Sequence, residues 1–264
     1  MSALCRSLSR TQKRGKRKAT FNKRVRAETD ALSDPVRVTV GGATFTSFQV
    51  GKINLKASEL IRKGTELPDG ITPDTNFDLP ICNGHLAVGE ASIVIDPCDY
   101  EELIQYERRP EGYVAPPSLL SQLSGRGVKA EDVTHVVITH FHMDHCIGST
   151  MKTSEGTYVP TFPRARYYLG AADWNSPMLQ EDLKSTPMAM NSLGVLGRSK
   201  VLTLVDRPMQ VVPDVMIVPM PGESPGHQGV RMTSQGGDVM VHRRPLSRCY
   251  GCGRSEDYGG LERP

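Results

Sequence analysis

The sequence of 264 residues predicts an α+β fold in which β-sheets are covered by helices. Two pairs of short segments with alternating apolar and polar residues, each pair joined by turn residues, predict β-hairpins. A continuous run of apolar and β-branched residues at 133–139 predicts a buried strand. Strands and helices then mix without a strict βαβ rhythm, which favours an α+β arrangement.

The first elements are hairpins. Residues 36–50 alternate on both sides of Gly41 and Gly42, and residues 85–95 repeat the pattern around a Gly-Glu turn. Between the two hairpins, residues 64–80 are rich in Gly, Pro, Asp and Thr, so we expect a long loop there.

A short amphipathic helix is predicted within residues 117–127, because three leucines share one face and two glycines follow. The buried strand at 133–139 comes next. The remaining predictions are strands at 165–169, 200–204 and 211–219, a helix beginning at 171–174, a turn at 206–208, and a last hairpin at 230–241.

Charge divides the chain into three parts. Residues 1–26 carry ten Lys or Arg and no acid, whereas the rest carries about −7. We expect residues 1–33 to form a disordered basic arm, residues 34–241 to form the domain, and residues 242–264 to form an unstructured tail. The arm fits a nuclear localisation signal or nucleic-acid-binding patch, a mitochondrial transit peptide, or a solvated tail without a targeting role.

The chain has no predicted membrane span and no apolar signal segment. Six cysteines without a secretion signal favour reduced thiols and an intracellular, foremost cytoplasmic, location, with the nucleus and mitochondria as alternatives. Cys249 and Cys252 form one CxxC pair, which is half a zinc site, a redox motif or an incidental pair in a tail.

A cluster of metal-ligand residues follows the buried strand. His140, His142, Asp144 and His145 lie within six residues. We expect His140 and His142, two residues apart at a strand end, to face one cation. Imidazole and carboxylate side chains suit zinc or a similar first-row metal. The sequence therefore predicts a metal site at this strand end.

A catalytic metal needs a further protein ligand. His227 is the best candidate, because it lies in a Pro/Gly turn directly after a predicted strand. His85 and His135 are expected to be hydrogen-bonded structural histidines, and His242 is ambiguous. Cys146 is expected to be a small packed residue.

The predicted chemistry is metal-dependent hydrolysis. Bound zinc lowers the pKa of water from about 15.7 to about 7, which gives a metal-bound hydroxide at neutral pH. Asp144 could hold a second metal or accept the proton of the attacking water, and is the candidate catalytic residue. Thr139 could hydrogen-bond a group behind the ligands or be an ordinary strand residue.

Residues 139–148 (THFHMDHCIG) resemble the HxHxDH motif of the metallo-β-lactamase superfamily. Further stretches at 117–123, 127–139, 162–174 and 221–227 resemble its lactonase-like branch, which includes N-acyl-homoserine lactonases. The resemblance covers about residues 36–241. It implies an αββα sandwich with one or two zinc ions at one edge of the sheets.

The resemblance also implies a ligand set. His140, His142 and His227 would hold the first metal, and Asp144 and His145 the second. The family pattern places a bridging Asp just beyond Val241 and a final His later, but the chain continues with residues 242–245 (HRRP). We therefore expect a sandwich that is incomplete at its C-terminus and a doubtful second site. A truncated, alternatively spliced or frame-shifted end is our hypothesis, which sequencing of the transcript would test.

Three functions follow from the sequence. The leading hypothesis is a zinc hydrolase that opens a small-molecule lactone or related ester. The first alternative is a nuclease or phosphodiesterase of the same fold, which the acidic body disfavours because nucleic-acid enzymes usually carry basic surfaces. The second is an inactive, truncated metal-binding relative. The sequence predicts no membrane partner and does not indicate the oligomeric state.

Overall fold

The computed structural model describes residues 34–60, 66–109, 111–234 and 237–241. The expected basic arm at 1–33 and tail at 242–264 lie outside these residues, as do His242, Cys249 and Cys252. Within the described ranges, no helix is long and apolar enough to cross a membrane.

A seven-stranded sheet forms the centre of the fold. Its order is β1-β2-β3-β4-β5-β8-β9, antiparallel from β1 to β4 and parallel from β4 to β9. The strands are β1 Val36–Val40, β2 Ala43–Lys56, β3 Asn76–Val88, β4 Ala91–Ile95, β5 His135–Val137, β8 Arg166–Gly170 and β9 Leu202–Val205.

A second, antiparallel sheet has the order β10-β11-β12-β13. A separate two-stranded ribbon pairs β6 with β7. These strands are β6 Thr150–Lys152, β7 Tyr158–Pro160, β10 Met209–Val212, β11 Val215–Pro219, β12 Gln228–Ser234 and β13 Gly237–Val241.

The helices are short and connect the strands. They are α1 Ala57–Leu60, α2 Tyr100–Leu103, α3 Leu119–Ser124, α4 Met143–Cys146, α5 Ala171–Trp174, α6 Pro177–Ser185, α7 Pro187–Asn191 and α8 Leu193–Arg198, with 3-10 turns at Ala130–Asp132 and Ile147–Ser149. The predicted helix within 117–127 is α3, which begins after its N-cap Ser118 and ends before Gly125.

Two apolar cores lie on opposite faces of the large sheet. Alternate residues of β8 show the division: Tyr167 and Leu169 pack with helical leucines such as Leu123 and Leu193, whereas Tyr168 packs against Ile217 of the second sheet. Because side chains alternate along a strand, one sheet can separate a helical layer from a second sheet. The predicted α+β fold, with sheets covered by helices, is confirmed.

Away from the histidine cluster, the predictions for two segments are wrong. The loop expected at 64–80 is shorter, because β3 already begins at Asn76, paired with Lys56 at the end of the long β2. The single strand expected at 211–219 is a hairpin: Pro213 and Asp214 turn the chain between β10 and β11, and Asp214 has a φ of 65°. Proline lacks a ladder donor and aspartate tolerates positive φ, which explains the turn.

Candidate metal centre

The loop after β5 carries the histidine cluster. β5 ends at Val137, so the strand predicted to reach Thr139 is shorter and His140 does not stand at a strand end. The reason lies in Asp96, whose carboxylate accepts hydrogen bonds from the Thr139 backbone N–H at 2.7 Å and from its hydroxyl at 2.8 Å. A side chain therefore takes the donor that a neighbouring strand would otherwise bind.

The four predicted histidine side chains converge around His140. Its ring centroid lies 4.6 Å from that of His142, 4.0 Å from that of His145 and 5.3 Å from that of His227. His140 Nε2 and His142 Nδ1 are 3.0 Å apart. Two ring nitrogens on separate side chains thus lie close together, although the strand whose alternation was the reason for expecting this ends at Val137.

Asp144 and His145 stand in the short helix α4. The Oδ2 atom of Asp144 lies 3.2 Å from His145 Nε2, and the opposite nitrogen, Nδ1, lies 2.8 Å from Asp96 Oδ2. A carboxylate on the far nitrogen fixes the orientation of an imidazole ligand. Gly148, which follows this helix, permits close packing, because a Cβ there would lie 2.7 Å from the Asp99 nitrogen.

His227 reaches the cluster from the second sheet. The next residue, Gln228, donates its backbone N–H to the Thr139 carbonyl at 2.9 Å and its side-chain amide to the Ile138 carbonyl at 2.9 Å. These bonds hold the start of β12 against the end of β5. His227 is only 2% exposed, and both its ring nitrogens lack a hydrogen-bond partner among the described residues.

The pKa values of the histidines diverge. Burial, followed by the neighbouring imidazoles, lowers the pKa of His140. Burial also lowers the pKa of His227, although the Asp96 carboxylate, the Met220 backbone and the Glu223 carboxylate oppose that shift. At His145 burial is outweighed by Asp96 and Asp144, which raise the pKa to about 9. A cation and a proton therefore compete for His145, so metal uptake at neutral pH would release a proton.

Three carboxylates near the cluster were not predicted from the sequence. Asp96 follows β4 at a φ of 53° and supports Thr139 and His145. Asp173 is fully buried in α5. Glu223 has a carboxylate oxygen within 4.8 Å of ring nitrogens of both His140 and His142. Of these three carboxylates, only Asp96 had a recognisable signal in the sequence, because it directly follows the apolar strand β4.

Asp173 connects the two loops that carry the histidines. Its Oδ2 atom accepts hydrogen bonds from the Phe141 backbone N–H at 3.2 Å and from the Ser224 hydroxyl at 2.8 Å. Its Oδ1 atom accepts from the Gly226 N–H at 2.6 Å. One buried carboxylate therefore satisfies donors from both loops, and sets where His140 and His227 stand relative to each other.

Replacing Gly226 with alanine should destabilise the metal-free protein by about 1–3 kcal/mol and weaken zinc binding. The added Cβ would lie 2.4 Å from the Asp173 nitrogen, so the loop before His227 must move. Urea unfolding and a zinc titration would measure both effects. Gly42→Ala is the matched control, because its Cβ would meet nothing within 4 Å. Equal behaviour of the two variants would contradict the prediction.

The other singled-out residues lie outside the cluster or support it. His85 Nε2 is 2.9 Å from the Ser92 hydroxyl, and His135 Nδ1 is 2.8 Å from the Thr134 hydroxyl, as expected of structural histidines. Cys146 is buried, and its burial raises its pKa. Thr139 lies behind the ligands, with its hydroxyl 3.1 Å from His140 Nδ1.

Comparisons with known proteins identify the family of the chain. The family model described as the metallo-beta-lactamase superfamily matches residues 82–241. An N-acyl homoserine lactonase from Bacillus cereus is 25% identical over 182 residues, which are 65% of this chain and 66% of that protein. The match thus spans slightly less than two thirds of the relative's length.

Solved structures share the fold. AidC, a dizinc quorum-quenching lactonase in complex with a product, aligns with a TM-score of 0.58 at 19% identity, covering 80% of this chain and 74% of AidC. A probable metal-dependent hydrolase from Staphylococcus aureus aligns with a TM-score of 0.57 at 15% identity, covering 77% of this chain and 73% of that one. At these identities the likeness concerns the fold alone.

Proposed function

Because the chain belongs to the metallo-β-lactamase superfamily, we propose that it is a zinc-dependent hydrolase that opens a small-molecule lactone or related ester. The similarity to the Bacillus cereus N-acyl homoserine lactonase supports the substrate class. Residues 34–241 are the proposed hydrolase domain.

The observation that carries the proposal is His227. A buried imidazole whose two nitrogens have no partner among the described residues costs free energy unless something binds it. A cation shared with His140 and His142 would satisfy one of these nitrogens. Imidazole nitrogens suit zinc, so the donor set fits the metal that the family implies.

Each residue of the cluster has a proposed role. His140, His142 and His227 bind the first metal ion, and Asp144 and His145 bind a second. When bound, zinc supplies a Lewis acid and lowers the pKa of coordinated water to about 7. Alternatively, Asp144, which is partly exposed, would accept the proton of the attacking water instead of holding the second metal. Asp96 orients His145 through its far nitrogen.

A measurement of zinc content and turnover tests this function. We expect bound zinc and hydrolysis of a lactone, with little turnover of phosphodiester and β-lactam substrates. His142→Ala should lower kcat/KM by at least about a hundredfold, since losing a ligand should cost no less than losing its supporting partner. His135→Gln is the control, because His135 bonds outside the cluster. Absence of zinc uptake would overturn the proposal.

A non-catalytic metal-binding protein is the second candidate. It is favoured by residues 242–244 (HRR), which stand where the resemblance implies a bridging Asp. Stoichiometric zinc without turnover on any of the three substrates would favour this candidate over the hydrolase. Phosphodiester turnover alone would favour the nuclease alternative.

A further inference from the structure

Glu223 places a carboxylate beside two of the candidate ligands. One carboxylate oxygen lies within 4.8 Å of ligand atoms of His140 and His142, and those two atoms also lie within 4.8 Å of each other. Glu223 itself is exposed, so its side chain reaches the cluster from the solvent side. Three donor atoms on three side chains can therefore meet one ion.

The backbone on both sides of Glu223 is anchored. The Gly222 N–H donates to the Ser224 carbonyl at 3.2 Å, and the buried Ser224 hydroxyl donates to Asp173. The Met220 N–H donates to the His227 carbonyl at 2.7 Å, which closes the loop at its base. Glu223 thus lies on a loop that these hydrogen bonds fix in place and that also carries His227.

An independent observation points to an ion at this place. His227 is 2% exposed, its ring is in edge contact with that of His140, and neither of its nitrogens has a hydrogen-bond partner among the described residues. A buried imidazole without a hydrogen bond is unfavourable, which favours a ligand from outside the described protein atoms. His227 is not among the three side chains whose ligand atoms all lie within 4.8 Å of one another, but its ring contacts that of His140, which is one of them.

We propose that Glu223 is a further metal ligand, whose carboxylate coordinates the same divalent cation as His140 and His142. This inference rests on the proposed metal site but not on hydrolysis. Three neutral imidazoles would leave the charge of the ion uncompensated, and a carboxylate reduces it. The carboxylate that the resemblance implies beyond Val241 is absent from residues 242–245, so Glu223 would supply an acidic ligand from the preceding loop.

A zinc titration of metal-free, full-length protein against a chromophoric chelator tests the assignment. Glu223→Gln keeps the shape of the side chain but removes its charge, and should weaken zinc binding at least tenfold. Glu223→Asp, which keeps the charge on a shorter side chain, should lose less. Glu155→Gln is the control, because Glu155 is an exposed acid in the turn between β6 and β7 and should bind zinc as the wild type does.

Two further readouts separate ligation from folding and from activity. The visible spectrum of bound Co²⁺ should change in Glu223→Gln and stay unchanged in Glu155→Gln. Both metal-free variants should unfold at the urea concentration of the wild type, since neither side chain is buried. If Glu223→Gln binds zinc with wild-type affinity and its Co²⁺ spectrum is unchanged, Glu223 is not a ligand. The proposed metal site itself would not be affected by that result.

The remaining outcomes divide the two proposals. A tenfold loss of zinc affinity in Glu223→Gln supports the ligand even if the wild type hydrolyses none of the tested substrates, in which case only the hydrolase proposal fails. If the wild type takes up no divalent metal, both proposals are overturned.

Discussion

Asparagine in place of Asp96 should weaken zinc binding at His145 by about 10–100-fold, the range found when a partner behind a metal ligand is lost. One oxygen of Asp96 accepts the Thr139 N–H, and the other lies 2.8 Å from His145 Nδ1. If the amide oxygen of the introduced asparagine accepts the Thr139 N–H, the amide NH₂ group must face His145 Nδ1 and donate to it. The imidazole proton then moves to Nε2, the nitrogen beside Asp144, where it would block a metal ion.

Asparagine at position 96 should change the side-chain hydrogen bonds without straining the backbone. Asp96 has a φ of 53°, and asparagine tolerates positive φ as well as aspartate does. Asp214→Asn is the matched control, because Asp214 has a φ of 65° in the exposed turn between β10 and β11. Alanine at position 96 would add backbone strain of about 1–3 kcal/mol, so it is the less informative change.

Zinc content per chain and a competition titration would measure the loss. Nitrogen NMR of the His145 ring in the metal-free protein, recorded above the raised pKa of about 9 so that the ring is neutral, would show the expected change of tautomer. Asp214→Asn should match the wild type in both measurements. Unaltered zinc affinity in Asp96→Asn would mean that Asp96 supports only the backbone of Thr139.

Contiguous patterns made much of this molecule predictable. The hairpins of the first sheet follow from alternating apolar and polar residues joined by turn residues, and the helix α3 follows from its leucine spacing. Each of these signals lies within a short stretch of sequence. The cluster at His140–His145 was visible for the same reason, since its members are neighbours in sequence. His227 was found through its turn after a strand, which β11 confirms as an element.

The missed residues depend on contacts between distant segments. Asp173 lies 32 residues from Phe141 and 53 from Gly226, and nothing in its local sequence indicates burial. The turn at Pro213–Asp214 was hidden by valines on both sides, which continue the apolar pattern of a single strand. Local periodicity cannot reveal a partner that only the folded chain brings near.

Removing the carboxylate of Asp173 should be the most destabilising change near the site. Asp173→Ala would leave the Phe141 and Gly226 N–H groups and the Ser224 hydroxyl without their acceptor, and each unsatisfied buried group costs about 1–3 kcal/mol. We expect a total loss of about 3–5 kcal/mol after partial relaxation, in the range found when a buried partner is removed. Urea unfolding of the metal-free protein would measure this loss without the stabilising effect of bound zinc.

A graded series separates the network from simple loss of volume. Ser224→Ala removes one donor and should cost about 1 kcal/mol, whereas Asp173→Asn keeps one oxygen but turns an amide toward an N–H donor and should cost more. Asp99→Asn is the control. Asp99 also accepts two backbone N–H groups, but it does so as the N-cap of α2, a position where asparagine is as favourable as aspartate, so this change should cost little. Zinc affinity should fall in the same order as stability, since the carboxylate joins the loops of His140 and His227. Destabilisation without weaker zinc binding would show that the two loops hold their ligands independently.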